Sequence, residues 1–333
     1  MIRTVILLLI LTPWGALAQQ TVIKLGTLAP DGSPWHQILL RIGERWRDIS
    51  GGKVKLVIYP GGALGDEQDM VKKMRINQLQ AVAVSGVGLG EIEKGVSCLQ
   101  VPMMFGSYAE LDYVRERMAP RLEKSIQDRG YQVLGWADVG WVHFFTKTPV
   151  TRMDDLRRIK LFTWAGDTEE EELWKTNGFR VVPLAATDIF TGLQTGLIEA
   201  VPTTPLYALL NQCFGLASNM TDIQWAPLIG ATVVKKSVWD TIPEPQRQQM
   251  LEAAVQAGDN LRGGIRKMND DAVAAMQKRK LNVVHADAAV VAEWRKQAEA
   301  IYPKLRGRTI PADLFDEVRR LHNEFQARQG AAK

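Results

Sequence analysis

Segments with strand character and segments with helix character alternate along this chain, and glycine or proline marks each changeover. Thr21 to Leu28 reads as a strand that stops at Ala29-Pro30-Asp31-Gly32-Ser33-Pro34, where Pro and Gly end regular structure and Ser33 can cap a helix. Trp35 to Ile49 then puts Ile38, Leu39, Ile42 and Trp46 on one helical face. Gly51-Gly52 closes that helix, and Val54 to Tyr59 alternates as a second strand. A loop with Gly61, Gly62 and Gly65 leads into a helix over Asp66 to Ile76, and a short buried strand, Ala81 to Ser85, comes next. This alternation predicts an open, mostly parallel sheet whose ligand site lies beyond the carboxyl ends of its strands.

The pattern restarts downstream. Tyr131 to Ala137, His143 to Thr146, Ile159 to Phe162, Arg180 to Pro183, Glu199 to Pro202 and Val233 to Val238 have strand character. Asp167 to Thr176, Thr187 to Thr195 (ended by Gly196) and Pro205 to Phe214 read as helices. Pro243 to Lys280 forms one long helix or two, with Gly258 and Gly263-Gly264 as weak points. The roughly 315 residues after residue 18 exceed one hydrophobic core, so two α/β lobes with a helical tail are expected. That architecture suits a closing cleft, and it suits many enzymes equally.

The N-terminus sets the compartment. Arg3, the apolar run Val5 to Leu11 and the small residues Ala16 and Ala18 have the order of a secretory signal peptide over residues 1–18. The run falls well short of the roughly 20 residues that span a bilayer, so a soluble periplasmic protein is expected. A formal net charge of +4 from scattered Lys and Arg weighs against nucleic acid as a partner. Cys98 and Cys213 each lie among apolar neighbours and are expected as buried thiols.

Catalytic constellations are lacking. The four histidines, His36, His143, His285 and His322, have no ligand spacing, so no metal or cofactor is expected. Gly86-Val87-Gly88-Leu89-Gly90 comes after a strand, but Glu91 stands where a dinucleotide fingerprint needs its third glycine. Ser85 lacks the leading glycine of a nucleophile elbow, and Glu169 to Glu172 fits a helix N-terminus better than a carboxylate site. An enzyme is therefore not expected. The chain does hold ten tryptophans, several beside loops: Trp35, Trp141 with Phe144, Trp164 with Phe162, and Trp225.

Taken in order, several segments resemble the periplasmic substrate-binding subunit (DctP type) of tripartite ATP-independent periplasmic (TRAP) transporters. They are Ser33-Pro34-Trp35-His36, Val54 to Pro60, Leu64-Gly65-Asp66-Glu67, Val101-Pro102-Met103-Met104-Phe105, Pro149-Val150 with Asp155 to Lys160, Ala186 to Phe190 with Leu193 to Gly196, and Lys235 to Trp239. The resemblance spans nearly the whole chain after residue 18. It implies a two-lobed binding-protein fold with mixed sheets, crossing strands and a long connecting helix. It also implies a small-molecule ligand closed between the lobes and delivered to the TRAP membrane permease subunits. The lobes would comprise 19–142 plus about 232–272, and 143–231 plus about 273–333.

The chain departs from the family at the ligand. The Arg that the family places at the end of the strand after Asp155-Leu156, to pair with a ligand carboxylate, falls at Phe162. A second Arg falls at Val142, an Asn at Thr204 before Pro205, and a polar position at Trp225. A buried carboxylate without a partner costs several kcal/mol, and Phe162 cannot supply one. The expected ligand is therefore apolar or aromatic, held by Phe162, Trp164, Thr204, Tyr207, Trp225, Val142, Phe144, Trp35, Glu67 and Ser85. Two alternatives stand beside this: an organic acid bound through another base such as Lys160 or Arg180, and a sensor role in which the lobes feed a receptor.

Overall fold

The computed structural model describes residues 20–331, so the signal-peptide segment lies outside the described residues. The chain opens with β1 (Thr21–Thr27), α1 (Pro34–Ile49), β2 (Val54–Tyr59), α2 (Glu67–Arg75), β3 (Ala81–Ser85), α3 (Gly86–Gly90), α4 (Tyr108–Asp128) and β4 (Tyr131–Trp141). After Val142 come β5 (His143–Thr146), α5 (Met153–Arg157), β6 (Lys160–Trp164), α6 (Thr168–Thr176), β7 (Arg180–Leu184), α7 (Ile189–Thr195), β8 (Ala200–Thr203), α8 (Pro205–Leu210) and β9 (Asn219–Thr221). The remainder comprises β10 (Pro227–Lys235), α9 (Lys236–Trp239), α10 (Glu244–Gln277), β11 (Asn282–Val284), α11 (Ala288–Leu305) and α12 (Ala312–Ala331). The caps sit where the sequence puts them: the Ser33 hydroxyl accepts from His36 N, and Asp66 Oδ1 accepts from Glu67 N at 2.7 Å. Gly196 ends α7 at φ 74°, a left-handed conformation that costs glycine least.

Two sheets organise the molecule, ordered β2-β1-β3-β10-β4 and β11-β9-β5-β8-β6-β7. They are mixed, which corrects the mostly parallel sheet expected from local alternation: β1 runs parallel to β2 and β3, whereas β10 is antiparallel to β3 and β4. The cause is non-local. Strand β4 leaves the first sheet through Val142 into β5, and β10 returns beside it from the second lobe. The crossing is tied by Val142 N donating to Ala226 O at 2.8 Å and Trp225 N donating to Val142 O at 2.9 Å. Because of this pairing, the first sheet takes up the chain again at Pro227, opposite Trp141.

Helix α1 lays Ile38, Leu39, Ile42 and Trp46 on Ile23 and Leu25 of β1, as its apolar face dictates. Helix α10 is one continuous helix in spite of its glycines. It starts against Trp46, whose Nε1 donates to Met250 O at 2.9 Å, and reaches the second lobe at Asn269. There Asn269 Oδ1 accepts from Leu206 N while its amide donates to Val139 O, both at 3.0 Å. Cys98 and Cys213 are unpaired and buried, and burial pushes both thiols up to about 12, which leaves them unreactive. Among the described residues no helix is long and apolar enough to cross a membrane.

Candidate functional site

The mouth of the site is built at the start of α2. Asp66 caps that helix and also reaches across the cleft, where its Oδ2 accepts from Ala186 N at 2.8 Å. On the surface nearby, Lys94 pairs with Glu169 at 2.6 Å, so the lobes touch on this side. Glu67 turns inward: Oε1 accepts from Ser85 N (2.8 Å), and Oε2 accepts from Ser85 Oγ (2.7 Å) and Gly88 N (2.9 Å). Glycine is required at 88 because a Cβ there would lie 2.9 Å from Glu67 Cβ. Burial outweighs these three bonds and pushes the Glu67 carboxyl up to about 7.

Beyond Glu67 lies a cavity of about 150 Å³. Its second-lobe wall carries Phe162, Trp164 and Tyr207; its first-lobe wall carries Trp35, Glu67 and Ser85. Phe162 and Trp164 share one face of β6 through the two-residue period of a strand, and their rings meet edge to face at 5.6 Å. Val142 and Trp225 lie elsewhere, with Trp164, around an adjoining cavity of about 240 Å³. Glu170, which burial and the charge of Asp167 push up to about 7, also lines that second cavity.

Phe144 and Thr204, both expected at the ligand, line neither cavity. Phe144 is fully buried against Trp225 (5.7 Å) and Trp294 (5.3 Å) in the core of the second lobe, because alternation on β5 turns it toward α11. Trp225, in the same aromatic cluster, is mostly core as well. Thr204 is fully buried and its hydroxyl finds no partner among the described residues; Asn269 takes the α8 amide that a capping Thr would bind. Lys160 and Arg180 do not reach the cavity either: their side chains bond Gly196 O and Arg158 O.

Sequence reasoning missed the charged rim. Asp138 and Arg262 both line the cavity, yet neither offers a free charge. The Asp138 carboxylate is held by Arg115 and by Arg266 Nε at 2.7 Å, and Arg266 also clasps Asp112 at 2.6 to 2.7 Å. Arg262 donates to Asp259 at 2.7 Å and bears on Asp112. Three guanidiniums thus face three carboxylates. Among the described residues, Arg262 is the sole basic side chain in the cavity wall, and its buried Nε has no hydrogen-bond partner. No short-range pattern links Asp112, Asp138 and Arg266, which only the tertiary fold brings together.

A family model described as "Bacterial extracellular solute-binding protein, family 7" (DctP) matches residues 25–308. The chain belongs to this family. Among curated relatives, the solute-binding protein is 23% identical over 311 residues to the C4-dicarboxylate-binding periplasmic protein DctP of Rhodobacter capsulatus, covering 91% of this chain and 92% of that one. The sugar acid binding protein DctPAm of Advenella mimigardefordensis, solved with galactonate, superposes with a TM-score of 0.85 at 17% identity, covering 92% of this chain and 99% of that one. A TRAP periplasmic solute binding protein of Xanthobacter autotrophicus Py2, solved with β-D-galacturonate, gives 0.83 at 18% identity, covering 90% and 99%. These solved neighbours share the two-lobed α/β fold with mixed sheets and a long helix. The family is one of substrate-binding proteins, not of enzymes.

The raised carboxyls make stability depend on pH. Glu67 prefers to be protonated in the fold (pKa about 7) relative to the unfolded chain at 4.5. Its contribution is therefore full below about pH 4.5 and is lost as pH rises through 7, on the order of 3 kcal/mol in all. Glu170 acts in the same direction. Urea unfolding should accordingly show lower stability at pH 8 than at pH 5, and Glu67→Gln should remove roughly half of that difference. An unchanged pH slope in Glu67→Gln would disprove the assignment.

Proposed function

We propose that this protein captures, in the periplasm, a solute with an apolar body, closes the cavity at Phe162 around it, and hands it unchanged to a TRAP membrane permease. The observation that carries this reading is the wall opposite Glu67. There Phe162, 1% exposed, and Trp164 present aromatic rings rather than a basic group, and the Asp138 carboxylate at the rim is already paired with Arg266. The polar contacts on offer include Glu67, Ser85, Thr203 and Tyr207, which suit a neutral hydroxyl or amide head. The relatives described as periplasmic and the signal-peptide pattern support the compartment, and the family supports delivery to a permease. A ligand favours the closed arrangement only by its added affinity for it, so contacts from both lobes are required.

A second reading keeps an organic acid as ligand. It rests on the unpartnered Arg262 Nε and on the acids bound by the solved relatives, and it moves the anchor from Lys160 or Arg180 to Arg262. Tryptophan-fluorescence titration separates the two, since Trp35 and Trp164 line the cavity. Binding of the neutral probe N-phenyl-1-naphthylamine without binding of galacturonate or succinate is expected. Micromolar binding of either acid, abolished in Arg262→Met and without any binding of the neutral probe, would establish the second reading instead.

A further inference from the structure

We propose that the solute carries an unbranched apolar tail, and that a channel inside the first lobe receives it; this rests on the apolar-ligand reading above. The cavity does not end at the cleft. Past Trp35 it runs between the first sheet and the helices α1 and α10, touching Ile38, Ile42 and Trp46 on one side and Ala254, Gly258 and Leu261 on the other. These positions form one stripe on each helix. The stripes run antiparallel, since the far end of α1 meets Met250 near the start of α10.

The sheet order explains the opening. Helix α1 packs onto the β1/β2 edge, where Gly43 sits against Leu56, with 3.3 Å to a would-be Cβ. Helix α10 packs onto β4, the opposite edge, where glycines at 135 and 258 let the backbones approach. The two helices meet over one end of the sheet, where Ala81 of β3 and Val234 of β10 are buried with Trp46 and Met250, and they cover the middle of these strands less fully. Their residues Ala83 and Thr232, paired directly in register, remain partly exposed in the middle of a helix-covered sheet. A close-packed interior leaves few voids larger than a water, so a continuous one over two central strands needs an occupant.

Shape selects that occupant. Cleft and channel together hold about 150 Å³, room for about six carbons. From Trp35 to Trp46 the channel runs along three turns of α1, roughly 16 Å. That volume spread over that length is narrow, so past Trp35 it admits a single alkyl chain and leaves rings in the cleft beside Phe162 and Trp164. The head of the ligand then stays at Glu67 and Ser85, and Trp46, fully buried and packed at a tilt against Trp239 at 5.4 Å, closes the far end.

The test is a chain-length series on the full protein: neutral n-alkan-1-ols from butanol to dodecanol, monitored by tryptophan fluorescence and by displacement of N-phenyl-1-naphthylamine. Kd should fall about fourfold per methylene to about six carbons and then level off. Ala83→Leu, which narrows the channel floor, should weaken octanol binding at least tenfold and leave butanol unchanged; Thr232→Leu, beside it, serves if the first variant misfolds. A Kd independent of length beyond butanol, with the aromatic probe still bound, overturns the channel and leaves the apolar cleft standing. Failure of every neutral probe together with tight binding of galacturonate overturns both.

Discussion

Replacing Asp138 by Ala is expected to lower the unfolding free energy by about 3–5 kcal/mol, the cost of leaving a buried charge without its partner. The side chain is 2% exposed and its partner Arg115 3% exposed, so water cannot take over when the carboxylate goes. Arg115 would keep only Asp112, which it shares with Arg266. The position also matters for shape. The register of β4 against β10 slips between Asp138 and Gly140, and Trp35 Nε1 donates to Asp138 O at 3.3 Å. The network therefore pins the bend at which β4 leaves the first sheet for the crossing. A fall in Tm on the order of 10 °C should accompany the loss. The paired change Arg115→Met with Asp138→Leu removes both charges and should recover most of the stability, because a buried ion pair is often matched by apolar side chains of similar volume. Less than about 1 kcal/mol lost in Asp138→Ala would mean that packing alone holds the bend.

Features of the fold are legible in the chain according to the range of the interactions that set them. Helix caps at Ser33 and Asp66, the αL stop at Gly196 and the shared face of Phe162 and Trp164 depend on neighbours within a few residues, and all are visible in the sequence. Strand direction is not local. The antiparallel entry of β10 depends on where the chain has been in the other lobe, so alternation suggested a parallel sheet that the fold does not contain. Aromatic residues misled for a related reason: Phe144 and Trp225 look like Phe162 and Trp164 in sequence, but α11 arrives with Trp294 to bury them. The balanced rim of Arg115, Arg262 and Arg266 joins residues on α4, β4 and α10, and the channel over β3 and β10 results from sheet order. Neither leaves a motif. The family resemblance carried fold and class, because it rests on many ordered segments at once; it says least about the ligand, which turns on single positions such as 162.

On the apolar-ligand reading, Phe162→Arg is the most informative single change. Without ligand, the variant places a guanidinium at a position 1% exposed, beside Trp164 and facing no free carboxylate among the described residues except Glu67, whose oxygens already accept three hydrogen bonds. A buried unpaired cation costs several kcal/mol, so Tm should fall, and the affinity for N-phenyl-1-naphthylamine should drop at least tenfold. Galacturonate should then restore the lost stability. A carboxylate paired two-point with the guanidinium removes the penalty, and a ligand at 100 times its Kd adds about 2.7 kcal/mol to the folded state. The wild-type protein should show no thermal shift with the same acid. Phe162→Leu, which keeps the wall apolar, should retain the neutral probe and ignore the acid. If the wild type is already stabilised by galacturonate, its carboxylate is anchored without position 162, Arg262 becomes the residue to change, and the apolar wall is packing rather than specificity.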